Sequence, residues 1–138
     1  MTRIDGFDFP AMQAQGNSAG VPELFVLTMT PLPLPAGFAA TPHESHPLEA
    51  HYAYMHRLIE QGKVLAIGPA LSDPIDPVLA PVPPGLGILN LENRQEAEDI
   101  AANEPFHVMG WRHNEVMAWT PKFGSLIEVL RAATTGRG

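Results

Sequence analysis

The chain has no cysteine, and that one absence removes disulfides, thiolate metal sites and thiol catalysis together. It is also short of positive charge. Eight Lys and Arg stand against 15 Asp and Glu, a net charge of −7, which opposes phosphate backbones and anionic lipid surfaces. Nucleic acid is therefore not an expected partner. No apolar run approaches the roughly 18 residues of a membrane span. The opening stretch MTRIDGFDFPAMQAQGNSAG is interrupted by Asp5, Asp8 and Pro10, where a secretory signal needs unbroken apolar residues. The expected location is the cytoplasm, with no membrane contact.

Several catalytic signatures are missing as well. There is no H-E-x-x-H, and His46, His51 and His56 are spaced five apart, about 140° on a helix, where metal pairs use three or four. HESH at 43–46 lies in a proline-bounded loop, and no metal site is expected there. Ser45, Ser72 and Ser125 lack a G-x-S-x-G setting. The glycines of GLGILN are not followed directly by a helix, so they make no dinucleotide fingerprint. No cofactor is expected.

What is present is enough for one core: 138 residues, 45% hydrophobic and 17% charged. Proline is abundant, at 15 residues, about twice its usual ~5% share. Five prolines lie between Pro31 and Pro47 and six between Pro69 and Pro84, so both stretches read as stiff, semi-extended connections. Between them the elements follow in order. Glu23 to Thr30 (ELFVLTMT) is rich in β-formers and stops at proline. Ser45 to Gln61 reads as a helix, with Ser45 a candidate cap, Pro47 in the first turn and Gly62 closing the end. Lys63 to Ile67 and Gly85 to Leu91 read as strands. Asn93-Arg94-Gln95-Glu96 resembles a capping box opening a helix to about Asn103, limited by Pro105. Trp111 to Thr120 is the last strand.

This order, β-α-β-β-α-β, predicts an α+β, ferredoxin-like fold: a four-stranded antiparallel sheet with two helices on one face. The other face needs a cover, and a second copy of the chain is the simplest one, so a homodimer is expected. Residues 1–22 form an arm, read as either a disordered segment or a swapped strand. Residues 23–123 form the domain. Residues 124–138 form a tail whose apolar patch, Leu126 to Leu130, is either a short helix or a dimer contact.

One residue breaks the pattern of the first helix. On a wheel of about 100° per residue, Leu48, His51, Tyr52, Met55, Leu58 and Ile59 share one arc. His51 is the only strongly polar member of that stripe, and a neutral imidazole pointed at the sheet needs a partner for at least one ring nitrogen. Glu104 follows Ala97, Ile100 and Ala101 on the inner face of the second helix if helical geometry persists to its last turn. Two titratable groups then approach one pocket. A satisfied core histidine and a solvated helix-end glutamate are the bland readings of the same residues. Phe106 and Trp111 read as core or interface aromatics, or as walls of an apolar pocket for a small cyclic substrate.

HYAYMHRLIEQGKVLAIGP, followed at a distance by ILNLENRQEAEDIAANEPFHVMGW, resembles the YCII-related family of small dimeric α/β-barrel proteins. The matches are His51, Gly62-Lys63, Gly68-Pro69, Pro105-Phe106 and Gly110, over about Glu23 to Phe123. The resemblance implies a ferredoxin-like subunit packed against its twin as a dimeric α/β barrel, with a small pocket in each. It also implies a histidine and an acid acting as a proton-transfer pair, as in dehydrochlorinase-like and muconolactone-isomerase-like relatives. His51 takes the first role. For the acid there are two candidates: Asp73, in the family's loop region after Gly68-Pro69 and the preferred one, and Glu104 in NEPF, where relatives more often have aspartate. The expected function is cofactor-independent proton transfer of isomerase, lyase or dehydrochlorinase type on a small organic substrate. His51 would be the base or acid, and Gly68, Pro69, Tyr52, Phe106 and Trp111 would border the ligand. The alternative is a dimeric module, binding or structural, without catalysis.

Overall fold

A computed structural model describes residues 6–16, 23–33, 47–71 and 83–134. Ser45, the HESH stretch, Ser72 and Asp73 lie outside the described residues. The elements are α1 (Phe9–Gln15), β1 (Leu24–Pro31), α2 (Leu48–Glu60), β2 (Val64–Pro69), β3 (Gly85–Leu89), α3 (Arg94–Asn103), α4 (Pro105–Val108), β4 (Arg112–Trp119) and α5 (Ile127–Thr134). They divide into two units. One, Leu24–Ala118, carries the sheet; the other comprises Met1–Glu23 and Trp119–Gly138. In the second unit the arm contains a short helix, α1, opened by Asp8, whose carboxylate accepts from the Ala11 N–H at 3.1 Å. The apolar patch of the tail leads into α5.

In the sheet-bearing unit the strand order is β2-β3-β1-β4, the ferredoxin-like arrangement expected from β-α-β-β-α-β. β3 runs antiparallel to both β1 and β2. This insertion of β3 between the first two strands forces α2 to cross over the sheet, which brings its N-terminal turn above the strand ends. Alternation in β1 aims Phe25, Leu27 and Met29 at the helices, and all three are buried with Leu89, Met55, Leu58, Ile100 and Ala101 in one cluster. Tyr54 ties the helices together by donating its hydroxyl to the Ile100 carbonyl at 2.9 Å. Burial pushes the Tyr54 hydroxyl pKa up, with the Glu104 charge adding to the effect.

Several boundaries follow local chemistry. α2 ends where Gly62 takes φ +73°, and its N–H returns to the Ile59 carbonyl. α3 is opened by Asn93, whose side chain accepts from the Glu96 N–H at 2.9 Å. Glu96 in turn accepts from the Glu92 N–H at 3.1 Å, one residue earlier than a standard capping box, and pairs with Lys63 at 3.2 Å. Replacing Asn93 by alanine removes an acceptor for one orphan amide. It is expected to cost about 1 kcal/mol, read as a lowering of the melting temperature by a few degrees in circular dichroism. A return to wild-type stability in the Asn93→Asp variant marks the cap as the cause.

The helix stripe needs one correction. Met55 and Leu58 are buried, but Leu48, Tyr52 and Ile59 are exposed. α2 is rolled so that its buried face centres near His51 and Leu58, and the rest of the apolar arc overhangs a cavity instead of the sheet. α3 ends at Asn103, as its proline boundary implied, so helical geometry does not persist to Glu104. Glu104 has φ −67° and ψ 129°, an extended backbone that Pro105 favours in the residue before it.

Candidate active site

Three elements of the sheet-bearing unit meet at one point. α2 supplies His51 from its first turn, the α3–α4 junction supplies Glu104, and the start of β4 supplies Arg112 and Asn114. Glu104 is inward although no helix continues through it, because it doubles as the cap of α4. Its Oε2 accepts from the Phe106 N–H at 2.7 Å, and Pro105 takes the first helical position, where no amide is needed.

The carboxylate is wholly buried and surrounded by donors. Oε2 also meets His51 Nδ1 at 2.8 Å; Oε1 accepts from Asn114 Nδ2 at 3.0 Å and lies 3.5 Å from Arg112 Nη2. Burial alone would raise the Glu104 pKa. The bonds from His51, Asn114 and the Phe106 amide, with the Arg112 charge, outweigh it and hold the carboxyl at about 2. Glu104 is therefore an anion, and an anion can only accept. Nδ1 of His51 must carry the hydrogen of the 2.8 Å bond, so in the neutral ring the lone pair lies on Nε2. Arg112 Nη2 also lies 3.5 Å from Nδ1, but both atoms are then donors, so this is proximity and not a bond.

β4 alternates, and its burial pattern puts Arg112 and Asn114 on the helix-covered side with His113 and Glu115 outside. The Arg112 guanidinium stacks on Phe106, with Cζ 4.4 Å from the ring centroid. Desolvation lowers the Arg112 pKa, and Glu104 offsets part of that. Phe106 also contacts the imidazole: its ring centroid is 4.9 Å from that of His51.

His51, Tyr52, Gly68, Pro69, Phe106 and Arg112 all line a cavity of about 400 Å³, closed further by Met29, Ile67 and Pro83–Gly85. That volume suits a small organic molecule. Trp111, read from sequence as a possible wall, is buried behind Phe106 at 6.2 Å between ring centroids and is not among the lining residues. Sequence reading missed Arg112 and Asn114. The signal was the two-residue period of RHNEV, in which an inward Val116 puts Asn114 and Arg112 on the same face.

The profile of the YCII-related domain matches residues 24–120. The chain belongs to the YCII-related family. No curated protein sequence matches it. Eight solved chains match by structure. One is 5-chloro-2-hydroxyhydroquinone dehydrochlorinase from Burkholderia phenoliruptrix AC1100, in complex with 2,5-dihydroxybenzoquinone. At TM-score 0.53 and 21% identity, the alignment covers 73% of this chain and 95% of that one. Such a likeness shows a shared fold, which is the ferredoxin-like one derived above. The family motifs have local tasks in this YCII-related chain: Gly62 ends α2, Lys63 anchors Glu96, and Pro105-Phe106 shapes the turn that aims Glu104. Among the described residues no helix is long and apolar enough to cross a membrane.

Proposed function

We propose that the protein is a cofactor-independent enzyme that transfers a proton on a small organic substrate, with His51 Nε2 as the base. The observation that carries this reading is the 2.8 Å bond from His51 Nδ1 to a fully buried carboxylate, made at the wall of a cavity large enough for a substrate. Glu104 sets the tautomer, keeps the ring oriented and balances the imidazolium that forms when Nε2 takes a proton. Phe106, Tyr52 and the backbone at Gly68 and Pro69 shape the ligand's surroundings. The family's structural relative that binds a hydroxylated quinone supports a flat, oxygen-rich ring as the first compound to try.

The working unit in this reading is a homodimer in the cytoplasm. Strand alternation turns Leu86, Ile88 and Met117 away from the helices; Leu86 and Met117 are exposed, and Leu86 and Ile88 border a shallow groove with Ala66. A second copy would bury that apolar surface.

The test is hydrogen exchange in deuterated buffer with a panel of carbon acids, hydroxylated quinones and unsaturated lactones among them. Mass spectrometry is expected to show deuterium entering at least one compound faster than in buffer alone. If compounds bind in the cavity yet none exchanges, the protein is a binding module and the proposal fails.

A further inference from the structure

Among the described residues, Arg112 finds fewer acceptors than it has donors. Its side chain is 5% exposed and carries five N–H groups. Nη1 reaches the Pro83 carbonyl at a long 3.4 Å, and Nη2 stands 3.5 Å from Glu104 Oε1. Nε is buried and meets no acceptor among the described residues. His51 Nδ1, at 3.5 Å from Nη2, offers no lone pair while its hydrogen is engaged by Glu104. Glu104 itself is shared with His51, Asn114 and the Phe106 amide, so it neutralises the guanidinium only in part.

Buried donors without acceptors are uncommon in folded proteins, and a guanidinium that lines a cavity with only long contacts at Nη1 and Nη2 is suited to a further acceptor. Cζ sits 4.4 Å over the Phe106 ring and Nη2 stands 3.5 Å from Glu104, so this cation is held in place before any ligand arrives. It also stands beside the proposed base: Arg112 and His51 line the same cavity, with Nη2 3.5 Å from Nδ1.

We propose that Arg112 is the oxyanion-binding group of this cavity, and that the substrate is a small enolisable carbonyl compound whose oxygen seats against the guanidinium. In the step so arranged, the C–H bond next to the carbonyl breaks and its proton goes to His51 Nε2. The electron pair moves through the new C=C bond onto oxygen, giving an enolate that Arg112 holds. Return of the proton from Nε2 to a different carbon completes an isomerisation, and expulsion of a leaving anion from the enolate completes an elimination. Stabilising charge that develops only during the reaction is what lowers a barrier, which is why a preorganised cation next to the base is useful. This step rests on the proton-transfer reading above, whereas the anion preference rests on Arg112 alone.

The probe is 4-nitrophenolate, a flat oxyanion resembling an enolate, compared at pH 8.5 with its uncharged ether 4-nitroanisole. The wild-type protein is expected to bind the phenolate at least tenfold more tightly. In Arg112→Met the preference for the phenolate over the ether should fall to within twofold, and Arg112→Lys should recover part of it. Preference that survives in Arg112→Met overturns the proposal. Should that variant fail to fold, the wild-type protein gives the same answer by nitrogen-15 NMR. The assigned Arg112 Nε–H resonance is expected to move on saturation with the phenolate and to stay fixed with the ether; a signal fixed with both overturns the proposal. A tenfold preference with no deuterium exchange on any carbon acid supports the anion site and defeats the proton-transfer reading. Exchange without any preference does the reverse.

Discussion

Glu104→Gln is expected to destabilise the folded protein by about 3–5 kcal/mol, the range for breaking a buried charge pair from one side. The substitution is nearly isosteric, so its effect isolates charge and hydrogen-bonding sense. All four groups around the carboxylate donate: His51 Nδ1 and the Phe106 N–H at Oε2, Asn114 Nδ2 and Arg112 at Oε1. A glutamine amide presents one oxygen and one NH2, so either orientation turns donors against donors, and Arg112 loses its counter-charge within a site that is 5% exposed. Against a total stability of roughly 5–15 kcal/mol this is a large fraction, visible in urea denaturation as a lower midpoint at unchanged slope. The double variant Glu104→Met, Arg112→Met removes both charges and is expected to be more stable than Glu104→Gln alone. If the single variant denatures like wild type, the buried pair is not what organises this junction.

The same residue sets a pH window. Its carboxyl is held at about 2 in the folded protein against an ordinary 4.5, so between those values the unfolded chain binds the extra proton. Stability from Glu104 is complete above about pH 4.5 and is lost as the pH falls toward 2. The full shift corresponds to about 3 kcal/mol at roughly 1.4 kcal/mol per unit. Glu104→Gln cannot show this loss. The stability gap between wild type and variant is therefore expected to narrow on acidification from pH 5 to pH 2, and a gap that stays constant over that interval would contradict the assignment.

Replacing His51 by glutamine is expected to slow substrate deuterium exchange by about 10²- to 10⁴-fold, the usual contribution of a positioned general base. Glutamine can still donate to Glu104 Oε2 but has no basic nitrogen to present to the cavity. Binding of 4-nitrophenolate should change by no more than a few-fold, because Arg112 and Phe106 are retained. The more severe His51→Gly change opens space beside an existing cavity of about 400 Å³, and added imidazole is expected to restore part of the exchange. Full exchange in His51→Gln would place the base elsewhere in the chain.

Much of the fold was legible because it follows from local pattern. The order of strands and helices could be read from β-former runs, the Asn93 cap, Gly62 and the proline boundaries, and that order implies one sheet topology. Inward-facing His51 was legible as a polar residue in an apolar helical stripe. The roll of α2 was not: Leu48, Tyr52 and Ile59 count as apolar on a wheel whether they face a sheet or a cavity, and only packing distinguishes the two. Glu104 was read as inward through a helix that ends before it, whereas a cap of a four-residue helix aims it.

The sequence by itself determined the two-layer α+β architecture and the histidine directed into the subunit, since periodicity, capping and proline constraints act within a few residues; the family was legible separately, from the resemblance of its motifs. Only the tertiary structure decided which groups surround that histidine. Glu104 is 53 residues and Arg112 61 residues away along the chain, and contacts across such separations exist only once β3 has inserted beside β1 and the crossover of α2 has brought the three segments together. The buried anion, the guanidinium and the imidazole that they frame are products of topology, because no local rule relates residues so far apart.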